Sequence, residues 1–371
     1  MFKKKLVVIG GGAAGHKIAY LLQDLLDVTL VDPKTYFEVP MALPRLLVEP
    51  GALPAQMRYQ DFLSSVRHVQ GRAASISVRS VVVDTSTGSE TIPFDYAVVA
   101  TGSRHVDPLI KADVAGEGGR RSQIVAAHER LKTARHVVVA GGGPVGVEIA
   151  AELCESFPRL SVTLMHGTGQ LLENAPAKFG EWALDKLIAM GANVLLDDPV
   201  TQPAIGTQPL DGKVRTKGGK VLQADLVIWA AGARPNTGFM AASWPQLVQA
   251  DGLLKTDEYL RLQGYANIFI AGDVTNLPEG RLAITASFHV PAIVANIKAM
   301  LPATPADPAR LKPYVPRLPG KGMGKLMIVT LGRRDGLTSL PFGQFRAAFI
   351  ARKIKSANMF VNQYRKDVGL L

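Results

Sequence analysis

The chain has 371 residues, enough for two or three domains with a substantial core. Apolar residues make up 47% of it and charged residues 20%, which is typical of a globular protein and excludes a largely disordered one. Cys154 is the only cysteine, which excludes a disulfide scaffold and an internal C-x-x-C redox pair and indicates a reducing compartment.

The net charge of +11 is concentrated at the C-terminus. Residues 317–371 contain eleven Lys or Arg and two Asp, so the rest of the chain is close to neutral. A basic segment of this kind indicates an anionic partner: a membrane surface, a nucleic acid or an acidic protein. Three lysines at residues 3–5 precede an apolar run, but glycines end that run after four residues, and we expect no export signal. No stretch of about 18 apolar residues occurs, so no membrane-spanning helix is expected either.

The apolar run Leu6–Ile9 leads directly into a glycine-rich loop. The loop has G-x-G-x-x-G spacing, in which the first glycine permits a tight turn, the second lets a pyrophosphate approach the backbone, and the third lets a helix pack on the strand. The next strand, Val28–Val31, ends at Asp32, whose carboxylate can accept hydrogen bonds from ribose hydroxyls. The pattern therefore predicts a dinucleotide site. Its loop residues are Gly10, Gly11, Gly12, Ala13, Ala14 and Gly15.

The same pattern occurs a second time. His136–Ala140 leads into the loop Gly141–Gly146, and another strand, Leu160–His166, follows at the expected distance. The strand at Asp225–Asn236 ends in Ala-Gly, much as the earlier strand Asp95–Ser103 ends in Thr-Gly. Two βαβ units closed in this way predict an α/β fold with two Rossmann-like dinucleotide-binding domains, the second inserted in the first.

The remaining elements are read from apolar periodicity. Residues 66–84 alternate as short strands, Asn267–Asp273 is predicted as a strand, and Ala283–Met300 is predicted as a helix. Six prolines between residues 302 and 319 mark a boundary. Beyond it we expect the strand Leu326–Leu331 and a helix over Phe345–Lys355.

These patterns divide the chain into four segments. The glycine-rich stretch 115–121 is predicted as the linker into the second domain. The segments are the first part of the first dinucleotide domain (1–112), the second dinucleotide domain (113–237), the rest of the first domain (238–315) and a small basic α+β module (316–371).

Taken in order, the motifs resemble those of two-dinucleotide-domain flavoprotein oxidoreductases over about residues 5–300. More narrowly, the chain resembles the apoptosis-inducing-factor-like and ferroptosis-suppressor-like NAD(P)H:quinone reductases, which are related to type II NADH dehydrogenases. The residues behind the narrower match are Ala42-Leu43, Arg45, Val162-Thr163-Leu164, His166, His289, Ala295-Asn296-Ile297, Gly332-Arg333, Asp335-Gly336, Lys355-Ser356 and Phe360-Val361.

The resemblance implies that FAD occupies the first site, with its pyrophosphate on the first glycine loop and its ribose on Asp32. By the same resemblance Asp273 binds the ribityl chain. The helix that begins near Ala283 directs its N-terminus at the flavin, where its dipole favours the reduced ring. Further FAD positions implied by the family are Arg45, Ala73, Thr101, Gly102, Lys111 and Ala286.

The resemblance also implies NADH or NADPH in the second site, on Gly141, Gly143, Pro144, Val145, Gly146 and Gly232. Glu148 resembles the acid near the nicotinamide, although a glutamate in the first turn of a helix also has an ordinary structural explanation. His166 stands where strict NADH enzymes have a ribose-binding acid. With no acid to repel a 2′-phosphate, we expect both cofactors to be used with less than about tenfold discrimination. No metal is expected.

The predicted activity is FAD-dependent NAD(P)H:quinone oxidoreduction. Hydride passes from NAD(P)H to FAD N5, and two electrons then pass to a ubiquinone- or menaquinone-type acceptor. Catalytic candidates are Glu148, His289 and Lys355, and a hydrogen-bonded structural role is the alternative for His289. Cys154 is expected to be inert packing.

Residues 317–371 are interpreted as a module for quinone or membrane docking, or for dimerisation. Its Lys and Arg would contact anionic headgroups, while Phe345, Phe349, Met359 and Phe360 would enter the acyl boundary; the alternative is that these residues are ordinary core. Phe2 offers no myristoylation acceptor. We therefore expect a cytoplasmic protein, peripheral on the inner face of a membrane.

Two other functions remain open. One is a reductase that docks an acidic ferredoxin or rubredoxin on the basic segment. The other is an NADH-responsive flavoprotein that binds a partner or nucleic acid, although the basic segment has no recognisable nucleic-acid recognition motif.

Overall fold

The computed structural model describes residues 3–301, 311–317, 327–340, 343–346, 355 and 357–371. Its first unit contains β1 (Lys5–Ile9), α1 (Gly15–Leu22), β2 (Asp27–Val31), β3 (Tyr36–Glu38), α2 (Leu43–Val48), β4 (Gln56–Arg58), β5 (Val66–Val69), β6 (Gly71–Ile76), β7 (Ser80–Thr85), β8 (Gly88–Pro93), β9 (Tyr96–Val99) and β10 (Ser103–Arg104). The short strands expected within residues 66–84 are thus confirmed as β5, β6 and β7.

The main sheet of this unit has five parallel strands in the order β19-β9-β1-β2-β5, where β19 is Ile268–Ile270. Since β19 comes much later in the chain than β9, the residues between them form an insertion between neighbouring strands. In β1, Leu6 and Val8 pack in one core cluster, while Val7 and Ile9 pack in another. A strand covered on both faces must be apolar throughout, which is why this run shows no alternation.

The inserted unit contains α3 (Glu117–Thr133), β11 (His136–Ala140), α4 (Pro144–Ser156), β12 (Ser161–Met165), α5 (Ala177–Ala189), β13 (Asn193–Leu195), β14 (Val200–Gln202), β15 (Lys213–Thr216), β16 (Val221–Gln223), β17 (Leu226–Trp229) and β18 (Arg234–Pro235). Its main sheet is parallel, in the order β13-β12-β11-β17. The α/β class and the doubling of the βαβ unit are confirmed.

The expectation that residues 115–121 form a linker is wrong, because α3 begins at Glu117. Arg120 is fully buried and its guanidinium bonds the Glu38 carboxylate, with Nη2 to Oε1 at 2.8 Å. This tertiary contact fixes the first turn of the helix despite two glycines, whose intrinsic helix propensity is low.

The chain then continues with α6 (Gly238–Ser243), β19, α7 (Ala283–Met300), β20 (Met327–Thr330), β21 (Gly336–Leu340), β22 (Gly343–Phe345) and α8 (Val361–Lys366). The expected strand at Leu326–Leu331 is confirmed as β20. The expected helix over Phe345–Lys355 is wrong at Phe345, which lies in β22 and pairs with Thr338 of β21. Residues 347–354 of that prediction lie outside the described residues.

The C-terminal segment packs on both units. Val329 and Leu337 belong to the core cluster of the inserted unit, whereas Met359 and Val361 belong to a core cluster of the first unit. The expectation that Met359 enters a lipid layer is therefore wrong, because its side chain is enclosed by the protein. Phe349 lies outside the described residues.

By length and apolar composition alone, α7 could cross a membrane, and it is the one such helix found within the described residues. Ile293 and Ile297 of this helix are fully buried in the core. Burial of this kind is also what the core helix of a globular unit shows.

Candidate active site

The first glycine loop can hold only glycine at two positions. Gly10 has φ +98°, and a Cβ there would lie 2.5 Å from Ala100 O. A Cβ on Gly15 would lie 1.8 Å from Gly10 O, closer than any real contact. The loop backbone is thereby folded tightly at the N-terminus of α1, where free N–H groups favour a phosphate. In the middle of the loop, a Cβ on Gly12 would have one neighbour, Ala100 O at 3.9 Å, so that side remains open.

Asp32 lies at the end of β2, beside this loop, and is buried. Its Oδ2 accepts from Gly11 N at 2.7 Å and its Oδ1 accepts from Lys34 N at 2.8 Å. A carboxylate has about four acceptor positions, so Asp32 can accept from ribose hydroxyls as well. The sequence did not single out Tyr59, whose hydroxyl donates to Gly11 O at 3.1 Å from the other side of the loop.

Asp273 and Lys111 meet at Ser103. The Ser103 hydroxyl donates to Asp273 Oδ2 at 2.7 Å, and Lys111 Nζ donates to Ser103 Oγ at 2.8 Å. Desolvation lowers the pKa of Lys111, and the Asp273 charge opposes that shift. Ser103 and Asp273 are 170 residues apart in the chain, so the fold brings the expected FAD positions Lys111 and Asp273 together.

The Thr-Gly strand end joins the two units. Thr101 Oγ1 donates to Asn236 O at 2.8 Å, and Asn236 N donates to Gly102 O at 2.8 Å. The equivalent turn in the inserted unit contains Gly232, with φ +92°. The segments that follow the two repeated strands are therefore hydrogen-bonded to each other, while the strands β9 and β17 themselves lie in different sheets.

Two further expected FAD positions, Ala73 and Ala286, lie in regular secondary structure. Ala73 lies in β6, opposite Val83, next to an irregularity in the strand pairing. Ala286 lies in the first turn of α7, and its Cβ is 3.4 Å from the position that a Cβ on Gly272 would take. α7 begins at Ala283, as expected.

The second glycine loop repeats the geometry of the first. Gly141 has φ +131°, and a Cβ on Gly146 would lie 1.8 Å from Gly141 O. A Cβ on Gly143 would meet nothing within 4 Å, which leaves room for a ligand. α4 begins at Pro144, and Val145 in its first turn is exposed.

His166 occupies the position in the second unit that Asp32 has in the first, and it accepts a hydrogen bond from the equivalent loop N–H group. Gly142 N donates to His166 Nδ1 at 3.1 Å, as Gly11 N donates to Asp32. Because Nδ1 accepts, the ring proton is on Nε2. This Nε2 atom is buried and has no hydrogen-bond partner among the residues that the structure describes.

Glu148 and Lys355 form a buried ion pair, with Lys355 Nζ 2.5 Å from Glu148 Oε1. The same oxygen accepts from Thr330 N at 2.8 Å and from Thr330 Oγ1 at 3.0 Å. Lys355 also donates to Ile328 O at 3.1 Å. The expectation that Lys355 takes part in a basic face against a membrane is wrong, because its ammonium group is enclosed beside α4.

Two more glutamates follow Glu148 along the same helix, and each binds another part of the chain. Glu152 is fully buried and makes a bidentate contact with Arg45 of α2, with Nη2 to Oε1 at 2.7 Å. Glu155 Oε2 accepts from Arg333 N at 2.5 Å. Burial raises the pKa of Glu152, and the Arg45 guanidinium opposes that rise. Arg45, expected at FAD, thus joins the first unit to α4 through Nε and Nη2.

His289 is fully buried on α7, and both ring nitrogens are bonded. Nδ1 accepts from Gly272 N at 3.0 Å, and Nε2 lies 2.8 Å from Glu279 Oε2. No ring nitrogen is left for a substrate. This arrangement favours the hydrogen-bonded structural role, the alternative given for His289, over the quinone-side role.

Cys154 lies on α4 and its pKa is raised to about 11 by burial, which agrees with inert packing. Within the described ranges, no group of three or more His, Cys, Asp or Glu side chains could hold a metal ion.

Both loops thus fit a dinucleotide: each has a glycine cradle that a side chain would block, a helix N-terminus and an acceptor or donor at the next strand end. Residues 4–289 match the family model described as pyridine nucleotide-disulphide oxidoreductase. The chain belongs to this family. It is an FAD-dependent NAD(P)H oxidoreductase, with FAD and NAD(P)H as its cofactors.

Among curated proteins, the chain is 26% identical to apoptosis-inducing factor homolog B of Dictyostelium discoideum over 98% of this chain and 96% of the relative. It is 28% identical to ferroptosis suppressor protein 1 of Xenopus tropicalis, again over 98% and 96%. The solved structure of NDH2 from Plasmodium falciparum with NADH is similar in fold, with TM-score 0.76, 16% identity and coverage of 95% of this chain and 93% of that one. The solved structure of the sulfide:quinone oxidoreductase of Aquifex aeolicus is also similar in fold, with TM-score 0.75 and 18% identity. The match covers 98% of this chain and 91% of that one.

Proposed function

We propose that this protein is an NAD(P)H:quinone oxidoreductase whose acceptor is a ubiquinone- or menaquinone-type molecule. The observation that carries the proposal is the buried Glu148–Lys355 pair, because it brings the C-terminal module against the helix that follows the NAD(P)H loop. The single cysteine makes an internal disulfide relay impossible. Names among the relatives, a ferroptosis suppressor protein and a sulfide:quinone oxidoreductase, support the same class.

FAD supplies the redox chemistry when bound: it accepts a hydride from the nicotinamide and releases two electrons. The protein orients the nicotinamide and the flavin relative to each other and supplies the electrostatic field around them. Glu148 uses Oε1 for three hydrogen bonds, and its Oε2 atom has none within the described part of the chain. In this proposal Oε2 accepts from the carboxamide of the nicotinamide, which orients that ring.

Lys355 holds a positive charge beside Glu148. An ammonium group has three N–H donors, and the described residues use two of them, at Glu148 and at Ile328 O. In this proposal the third donates to a quinone carbonyl oxygen, where negative charge develops during reduction.

Steady-state turnover of the holoenzyme tests the acceptor. We expect NADH oxidation with ubiquinone-1 and menadione, little with ferredoxin or rubredoxin, and a loss of about tenfold or more in quinone kcat for Lys355→Met. Lys217→Met, at an exposed lysine in the turn after β15, is the matched control and should resemble the wild type. Turnover with the protein carriers alone would support the carrier-reductase function instead.

Membrane association is a second part of the proposal, supported by the exposed side chains of Arg346 and Lys366. Deleting residues 317–371 would be a poor test, because Leu337 and Met359 are core residues. Reversing the charges at Arg346 and Lys366 leaves every core side chain unchanged, because both residues are exposed. We expect the double variant to lose flotation with anionic liposomes, whereas unchanged flotation would contradict the membrane role.

A further inference from the structure

Glu279 is a buried glutamate that holds three segments together. Its Oε2 lies 2.8 Å from His289 Nε2, and its Oε1 accepts from the Tyr314 hydroxyl and from Arg317 N, each at 2.8 Å. The side chain is only 2% exposed. Burial alone would raise the pKa of Glu279, but these three donors hold it below its ordinary value, so the carboxylate is ionised at neutral pH.

The Glu279 carboxylate fixes the proton on His289. Since Gly272 N–H donates to Nδ1, that nitrogen is unprotonated and the ring proton lies on Nε2, where it is donated to Glu279. Without this acceptor, Nε2–H would be a buried donor with no partner. The ring could avoid that cost by moving its proton to Nδ1, and it would then no longer accept from Gly272.

Gly272 is the residue before Asp273 and has φ +75°, a left-handed conformation that glycine adopts without strain. Its N–H bond to His289 fixes the turn from which the Asp273 side chain reaches Ser103. The contacts therefore run from Glu279 through His289 to Gly272 and Asp273, the residue expected to bind the ribityl chain of FAD.

We propose that Glu279 is a positioning residue for the FAD site. Through it, the affinity for FAD depends on whether residues 311–317 are packed against Glu279. Tyr314 contacts both partners of the Glu279–His289 hydrogen bond. Its hydroxyl bonds Glu279, and its ring lies edge-on to the His289 ring with centroids 4.9 Å apart. Linkage is reciprocal, so bound FAD must in turn hold residues 311–317 more firmly.

FAD affinity is measured by fluorescence on reconstituted full-length protein. We expect Glu279→Leu to weaken FAD binding about tenfold or more, because His289 loses its acceptor. Glu279→Gln should weaken FAD binding less than Glu279→Leu, because the amide oxygen can still accept from Nε2–H, although the amide nitrogen cannot accept from Arg317 N as Oε1 does. Glu181→Gln, at an exposed glutamate of α5, is the control and should bind FAD like the wild type.

Hydrogen exchange of residues 311–317, with and without FAD, tests the link to that segment. FAD should slow this exchange in the wild type and slow it clearly less in Tyr314→Phe, which removes the hydroxyl bond to Glu279 but keeps the ring and the Arg317 N–H contact. This variant also serves as the test if Glu279→Leu does not fold. Wild-type FAD affinity in Glu279→Leu, equal losses in the Leu and Gln variants, or FAD-independent exchange in the wild type would each overturn the proposal. Neither measurement uses a quinone, so the outcome is separate from that of the acceptor proposed above.

Discussion

Lys355 and Glu148 are 207 residues apart in the chain, yet Lys355 Nζ and Glu148 Oε1 lie 2.5 Å apart in the folded protein. The glutamate comes from the helix after the second glycine loop, and the lysine comes from the C-terminal segment. Because both side chains are buried, each charge relies on the other for compensation. The pair thus joins the C-terminal segment to α4, the helix that the second glycine loop precedes.

Replacing Glu148 by Gln should separate chemistry from folding. The Gln amide oxygen can still accept from Thr330, but the charge opposite Lys355 is lost. We expect the rate of FAD reduction by NADH to fall about tenfold or more in stopped-flow measurements, because a buried charge loses its partner near the reacting groups. Glu129→Gln, which removes the exposed ion pair with Lys132, is the control. Equal reduction rates in Glu148→Gln and wild type would contradict a role at the nicotinamide.

The two glycine loops can be disabled separately. Gly146→Ala puts a Cβ 1.8 Å from Gly141 O, a backbone atom that cannot move aside cheaply. We expect NADH binding to weaken at least about a hundredfold while FAD stays bound, since the first loop is untouched. Gly118→Ala is the control, because a Cβ there meets nothing within 4 Å. Titration of NADH onto the FAD-loaded variants measures both effects, and tight NADH binding by Gly146→Ala would disprove this use of the second loop.

The identity of residue 166 should govern the choice between NADH and NADPH. In the wild type, with His166 in place of an acid, we expect kcat/KM values within about tenfold of each other. His166→Asp should disfavour NADPH by about tenfold or more, because its carboxylate would repel the 2′-phosphate while accepting from Gly142 N as Asp32 does from Gly11 N. A wild-type preference above about a hundredfold, equivalent to roughly 2.7 kcal/mol, would refute the expectation.

His16 should make stability fall at low pH. The residue is fully buried, its ring stacks on Phe37, and its Nδ1 donates to Gly12 O at 2.6 Å. Burial lowers its pKa from 6.5 to about 3. Between about pH 6.5 and 3 the unfolded chain therefore binds a proton at this residue and the folded chain does not. The contribution of His16 to the free energy of unfolding is thus complete above pH 6.5 and is lost as the pH falls through this range.

Within that range the loss approaches about 1.4 kcal/mol per pH unit for one proton. Urea unfolding of wild type and His16→Phe between pH 4 and 8 measures it. We expect the free energy of unfolding to fall less steeply with acid in the variant. Parallel curves for the two proteins would show that His16 does not titrate in this way.

Local patterns revealed the glycine loops and Asp32, because those residues lie within a single βαβ unit and each position has a steric or hydrogen-bonding requirement. Lys111 and Asp273 were expected at FAD only through family resemblance, and the structure brings them together at Ser103.

Other contacts gave no local signal. Arg45 and Glu152 are 107 residues apart and belong to different units, so nothing in either helix indicates their pairing. Glu279 lies in a polar loop where a glutamate would ordinarily face solvent; its burial depends on His289, Tyr314 and Arg317 arriving from other segments. The linker expected at residues 115–121 failed for a related reason, since Glu38 anchors Arg120 across 82 residues.

The most direct test of the proposed activity is anaerobic double mixing of the FAD-loaded protein. The enzyme is first reduced with one equivalent of NADH and then mixed with ubiquinone-1, while flavin absorbance is followed. We expect full reoxidation at a rate at least equal to kcat, with one quinone consumed for each FAD. A flavin that stays reduced after mixing with ubiquinone-1 and with menadione would contradict the central claim.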